Sequence, residues 1–297
     1  MDDLISRFLL HMRDERNMSA NTTAAYRTDL EQFAQFLAER GISAVEQIDD
    51  SVLMDFLLTL RERNYANSTV ARRLAAAKSF FAYLLEIGAI PSDPTRDLDS
   101  PRVDRFPPRA ISQQQVDALL EMPLRSRSPE GMRDRAMLEL LYATGLRVSE
   151  LVALNLDDVD LVQGTVRCRG RNGRERVLPL NPSAVTAIEE YLDNARSALD
   201  RAVSDNGYPL FLNHRGQRLT RQGFWLILKG YAEKVGLSEL TPHMLRHSFA
   251  THQLHSGVDL RELQERLGHA SLSTTQIYAQ VAQPRNDAFG TDAASID

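Results

Sequence analysis

Apolar residues return at helical intervals through the first 88 positions of the chain. Leu4, Ile5, Phe8, Leu9 and Met12 share one face of a helix over residues 3–16. Tyr26, Leu30, Phe33 and Leu37 mark a second helix, capped at Ser19 and ended near Arg40 by Gly41. Val52, Leu53, Phe56, Leu57 and Leu60 place a third over 50–62. Val70, Leu74, Ala77, Phe81 and Leu84 place a fourth, following Asn67 or Ser68 and stopping at Gly88. Amphipathic helices with short connections bury their stripes against one another, so residues 1–88 are expected to form a four-helix bundle.

The pattern then changes. Residues 89–109, AIPSDPTRDLDSPRVDRFPPR, hold five prolines, many charges and few core-forming side chains. Proline fixes φ and lacks a donor, so this stretch reads as an extended linker. From Ile111 the helical period resumes, with helices expected over 112–120 and 130–143, the latter broken by Gly145. Residues 165–169 and 174–180 read as paired strands around the turn Gly170-Arg171-Asn172-Gly173. Further helices are expected at 182–198, 220–235, 242–256, 259–267 and 271–282. The chain is thus expected to be mainly α, with a second domain over 110–283 that carries a small antiparallel sheet. The Pro/Gly/Ala/Asp-rich residues 284–297 read as a flexible tail.

Charge at first argues against a nucleic-acid partner. The net charge is −5, and it resides in residues 1–100, with 11 Lys+Arg against 16 Asp+Glu; the remainder balances at 24 of each. Local basic patches nonetheless occur between Arg61 and Arg73 and between Arg167 and Arg176. Only three basic residues are lysines: Lys78, Lys229 and Lys234. Cys168 is the sole cysteine, which leaves no intramolecular disulfide and no cysteine zinc site. No apolar run approaches the ~18–20 residues of a membrane span, and the acidic start does not read as a signal peptide, so a cytoplasmic location is expected.

Four segments break their apolar patterns with polar residues: ATGLRVSEL (143–151), CRGRNGRER (168–176), TPHMLRHSFATH (241–252) and LGHASLSTTQIY (267–278). Thr241 and Pro242 suit the cap and first position of a helix, on which His243 and Arg246 share a face. Together the segments supply the parts for phosphoryl transfer from a diester. A tyrosine, pKa ~10, can be deprotonated as it attacks. Two guanidiniums can hold the non-bridging oxygens as their charge grows. An imidazole can carry the tyrosine proton. Tyr278, Arg147 with Arg246, and His243 with His269 fill these roles; a donor for the leaving oxygen is less evident. Each residue alone has an ordinary reading as core aromatic, surface ion pair or helix-packing histidine. The co-occurrence of complementary roles is what favours chemistry. A metal site on His243, His247, His252 and His255 is disfavoured, because no His-Glu-x-x-His spacing occurs and positions five apart leave different faces of a helix.

TGLRVSEL, HMLRHSFATH and LGHASLSTTQIY resemble the three signature blocks of tyrosine recombinases, in detail those of the Xer chromosome-dimer resolvases. The resemblance covers about residues 3–283. It implies an N-terminal SAM-like core-binding bundle and a C-terminal α+β catalytic domain, together a C-shaped clamp on DNA. It implies Arg147 and Arg246 as phosphate clamps, His243 and His269 as the two histidines, and Tyr278 as nucleophile of a 3′-phosphotyrosyl intermediate. The implied partners are a double-stranded recombination site, a tetramer assembled on it, a paralogous recombinase and a cell-division DNA translocase as activator. Neither ATP nor a metal cofactor is required, because bond energy is kept in the protein–DNA ester. The rival readings are a mobile-element integrase or transposon recombinase with the same blocks, and a DNA-binding relative that no longer cleaves.

The family's hairpin usually reads like GKGNKER, its first lysine acting as general acid on the leaving 5′ oxygen. Here GRNGRER places Arg171 at that position, and no lysine lies nearby. Pro284 also interrupts the helical course where the family's C-terminal helix docks on a neighbouring subunit. A guanidinium, pKa above ~12, holds its proton too firmly to deliver it readily, whereas an ammonium can shift towards neutrality. Arg171→Lys is therefore expected to speed DNA cleavage. A substrate with sulfur in place of the 5′ bridging oxygen should rescue the parent strongly and the lysine variant much less. Fast parental cleavage of the oxygen substrate without sulfur rescue would assign the acid elsewhere.

Overall fold

In the computed structural model, which describes residues 1–96, 98, 110–170, 173–200 and 208–268, four helices gather the first apolar stripes. They are α1 (Asp2–Asp14), α2 (Ala20–Glu39), α3 (Asp50–Glu62) and α4 (Asn67–Glu86). Ser19 caps α2 through its Oγ, which accepts from Thr22 N, and Asp49 caps α3 by accepting from Val52 N. The fourth helix differs from the expected start, since Ala66 precedes it and offers no side-chain cap. Packing holds it instead: Phe80 meets Phe8 edge-on at 5.5 Å between ring centroids, and Phe81 meets Phe33 at 6.0 Å. Buried Asp29 of α2 pairs with Arg72 and Arg73 of α4, and the Arg73 guanidinium lies 3.8 Å over the Tyr65 ring. Removing one partner from such a group strands a buried charge, so it fixes the register of α2 on α4.

Contacts divide the chain into units of residues 1–106 and 107–297. Part of the proline-rich stretch belongs firmly to the first. Ile90 and Leu98 are buried in its core, and Lys78 Nζ donates to the Leu98 carbonyl. Two isolated apolar side chains carry no period, which is why the sequence pattern assigns them to free linker.

The second unit contains α5 (Gln113–Glu121), α6 (Pro129–Thr144), α7 (Val148–Leu151), α8 (Pro182–Asn194), α9 (Arg196–Leu199), α10 (Arg221–Lys234), α11 (Pro242–His255) and α12 (Leu260–Leu267). Strands β1 (Val159–Asp160), β2 (Thr165–Arg169) and β3 (Glu175–Pro179) form an antiparallel sheet in the order β1-β2-β3. The expected hairpin is β2–β3, and the short β1 extends it by one strand. The helix expected over 182–198 is divided at Ala195, where φ of −128° interrupts the helical course. The helix expected over 271–282 lies outside the described residues. The fold is mainly helical with one small sheet. Among the described residues no helix is long and apolar enough to cross a membrane.

Helix α6 is the axis of this unit. Ala136, Met137, Leu138, Leu140 and Leu141 are all buried, and so are Arg133, Asp134 and Glu139. A helix enclosed on every side must satisfy its charges internally. Asp134 does so by accepting from Arg133 Nε at 2.9 Å and from Tyr231 Oη at 3.0 Å, while Arg133 Nη1 donates to the Leu212 carbonyl at 2.9 Å. Gly145 ends α6 at φ 62°, and a Cβ there would lie 2.4 Å from a Phe249 ring carbon of α11. Left-handed backbone and close approach thus both require glycine. Gly145→Ala should lower stability by about 2 kcal/mol or more, from backbone strain and overpacking together. Thermal unfolding followed by the fluorescence of Trp225, the single tryptophan and a residue of α10, would check this.

Candidate active site

The turn at Gly145 delivers Arg147 to the start of α7, where it is the N-cap residue. Glu150, three residues on, folds back over it: Oε2 accepts from Arg147 N at 2.8 Å and Oε1 from Arg147 Nη1 at 3.0 Å. A second guanidinium closes on the same carboxylate. Arg176 Nη1 donates to Oε1 at 2.9 Å and Nη2 to Oε2 at 2.8 Å, the bidentate geometry of a strong charge-assisted pair. The Glu150 side chain is only 4% exposed. Burial pushes its pKa up, but Arg176 and Arg147 outweigh that, so the carboxyl stays below its ordinary range.

Strand alternation accounts for Arg176. Val166 and Cys168 of β2 and Leu178 of β3 face the core, and Arg176 stands directly across from Cys168 on that same face. Of the basic patch between Arg167 and Arg176, Arg167 and Arg169 are exposed. Arg176 is not, since its side chain is 13% exposed and turned inward. Two glycines make room for its fork. A Cβ on Gly170 would lie 3.3 Å from Arg176 Nη1, and one on Gly268 would lie 3.0 Å from it. The Cys168 thiol behind it is buried, and burial pushes its pKa up to about 11.

Helix α11 brings the third block. Thr241 Oγ1 accepts from Met244 N at 3.1 Å, and Pro242 takes the first helical position, as expected. His243 reaches solvent, yet partial desolvation and then the Arg246 charge hold its pKa below the ordinary value. The imidazole is therefore neutral at neutral pH and able to accept a proton. Arg246, nearly a turn further on, is buried; its Nη1 donates to the Gly145 carbonyl and its Nη2 to the Leu267 carbonyl at 2.6 Å. His247 is fully buried, and burial, with His243 beside it, lowers its pKa to about 4. His252 Nδ1 is hydrogen-bonded to Tyr142 Oη at 2.7 Å. These histidines serve packing and orientation. Among the described residues no three of His, Cys, Asp or Glu gather where they could hold a metal ion.

All three arginines end on one short stretch of backbone. Arg176 Nε donates to the Arg266 carbonyl at 2.9 Å, Arg246 to that of Leu267, and Arg147 Nη2 to that of Gly268 at 3.2 Å. These are the terminal carbonyls of α12, which ends on Gly268 at φ 60°. A helix C-terminus carries unpaired acceptors and partial negative charge, so it attracts cations. Three guanidiniums against one carboxylate leave an excess of positive charge, and the outer edge of Arg147, 38% exposed, can meet an incoming anion. Sequence reasoning brought out Arg147, His243 and Arg246 and missed Glu150 and Arg176. The spacing of Glu150 three residues after Arg147, that of a capping acid, was the available signal, whereas the inward register of Arg176 emerges only from the β2–β3 pairing. Arg171, His269 and Tyr278 lie outside the described residues.

The sequence matches two family profiles: the Phage integrase family over residues 109–285, and the Phage integrase N-terminal SAM-like domain over residues 5–88. It is 63% identical to Tyrosine recombinase XerC of Roseiflexus sp. (strain RS-1), the match covering 100% of this chain and 96% of that one. It is 44% identical to Tyrosine recombinase XerD of Listeria monocytogenes serotype 4b (strain F2365), covering 96% of each. Among solved structures, XerH site-specific recombinase bound to a palindromic difH substrate in a post-cleavage complex superposes with a TM-score of 0.75 at 23% identity, over 94% of this chain and 82% of that one. The two profiles and the long, close matches to Xer proteins agree with the signature blocks: this chain belongs to the phage integrase family, as a tyrosine recombinase of the Xer type.

Proposed function

We propose that this recombinase cleaves and rejoins duplex DNA through a 3′-phosphotyrosyl bond to Tyr278, and that it resolves chromosome dimers at cell division. The observation that carries this reading is the convergence of Arg147 and Arg246 on the end of α12, directly before the block that holds His269 and Tyr278. Tyr278 Oη attacks the scissile phosphorus, the P–O5′ bond breaks, and the 5′ oxygen leaves with a proton. Arg147 and Arg246 hold the non-bridging oxygens, whose charge increases in the transition state. Neutral His243, together with His269, is suited to relay the tyrosine proton. The Arg171 cation stabilises the departing oxygen, while water supplies the proton it leaves with. The 5′-hydroxyl of a second strand then attacks the phosphotyrosine, restores a diester and releases Tyr278, so no nucleotide is consumed.

In this reading residues 1–88 hold duplex DNA, 89–109 connect, 110–283 carry out the chemistry and 284–297 form a flexible tail. Exchange between two duplexes takes four protomers, hence a tetramer on DNA, with a paralogous recombinase and a cell-division translocase as partners in the cytoplasm. The names and high identity of the Xer relatives favour this role over that of a mobile-element integrase. A relative that binds without cutting is the remaining alternative, and a Tyr278-dependent covalent adduct separates the two.

The test uses a nicked suicide duplex built on the sequence that the chain selects from a random-sequence library. Tyr278→Phe should abolish the covalent band on a denaturing gel while site binding stays near the parental level. A band that persists in this variant sinks the nucleophile assignment. Arg147→Ala and Arg246→Ala should each slow cleavage on the order of 10²-fold or more, with a much smaller loss of binding. Parental cleavage rates in either variant would return that arginine to a structural role.

A further inference from the structure

We propose that Arg176 is a positioning residue for cleavage: by occupying Glu150 with a bidentate pair, it keeps that carboxylate from closing on Arg147. The inference rests on Arg147 being a phosphate-clamping residue. A carboxylate that faces one guanidinium takes it in a two-point, fork-to-fork pair, which uses the edge a phosphate would need. Glu150 and Arg147 are three residues apart and in contact, so that pair is within reach. It is not the one observed. Both Glu150 oxygens are engaged by Arg176, and Oε2 also accepts the Arg147 backbone N–H. The Arg147 side chain is left with a single hydrogen bond to Glu150, from Nη1 to Oε1, while its Nη2 donates to the Gly268 carbonyl.

The surroundings of Arg176 fit a part that must stay in place. Its Nε is tied to the Arg266 carbonyl, and the space beside its fork exists because Gly170 and Gly268 lack a Cβ. Its inward register opposite Cys168 is fixed by the β2–β3 ladder. The side chain is 13% exposed against 38% for Arg147, so Arg147 is the one of the two with an edge free to meet DNA. Arg176 thus divides the labour of two arginines around one acid: one neutralises the carboxylate and the other is oriented by it.

The test measures cleavage of the selected suicide duplex and equilibrium binding to its unnicked form, in the full chain. Arg176→Gln should reduce the cleavage rate on the order of 10- to 100-fold, as expected when a reacting group is displaced by about an ångström. Binding should change by less than about threefold, since the residue does not meet DNA. Adding Glu150→Gln to Arg176→Gln should raise cleavage above that of Arg176→Gln alone, because a neutral amide no longer captures Arg147. A purely structural role for Arg176 forecasts the reverse, each loss adding to the other. Arg176→Lys should fall between parent and Gln, and its retained charge provides the measurement if the Gln variant does not fold. Loss of binding in step with cleavage, or a double variant no faster than the single one, overturns the proposal. Arg147→Ala, run alongside, keeps the two readings apart. If it cleaves at the parental rate, the clamp assignment fails. If it is inactive while Arg176→Gln cleaves normally, only the positioning role fails.

Discussion

The carbonyls of Arg266, Leu267 and Gly268 close helix α12, and each accepts from a guanidinium of a different part of the second unit. Arg147 comes from the turn after α6, Arg176 from the sheet and Arg246 from α11. Bringing three like charges this close would be costly in an apolar interior. The helix terminus and the Glu150 carboxylate together make it sustainable. Much of the local design follows from that constraint. Gly145 must be glycine so that α11 can approach and present Arg246 to the Gly145 carbonyl. Gly268 must be glycine both to end α12 in the left-handed region and to leave room for the Arg176 fork.

Legibility followed period and chemistry. The bundle helices were plain because their apolar stripes repeat over two or more turns, as Leu4–Met12 and Tyr26–Leu37 do. Caps at Ser19, Asp49, Ser112 and Thr241 occupy positions where a side-chain oxygen can meet a free N–H. Helix α4 shows the limit of that rule. Asn67 and Ser68 are good caps, but tertiary packing of Val70 and Leu74 begins the helix behind Ala66. Helix α6 was legible over 130–143 with its stop at Gly145, though its enclosure on all sides emerges only in the folded chain.

Three residues of the candidate site could be nominated from the sequence, but not the contacts that join them. Arg147, His243 and Arg246 could be singled out because they interrupt apolar patterns within signature blocks. That Arg176 turns inward requires the register of β3 against β2, and a five-residue strand rich in charge does not announce which face is the core. Glu150 reads as an ordinary helix-start acid until both arginines are seen upon it. Local sequence describes a residue's type and its element, whereas pairing across segments 26 and 90 positions apart is a property of the folded chain.

The burial of Cys168 has a practical consequence of another kind. It is the single thiol in the chain, sealed between the sheet and Arg176, with its pKa pushed up to about 11. A thiolate, the species that reacts with maleimides and iodoacetamides, is scarce under those conditions. The native protein therefore offers a chemically quiet background. A cysteine introduced on an exposed helix face would be the one position to take up a fluorophore or spin label, so distances and motions during strand exchange could be followed without first removing a native residue from the core.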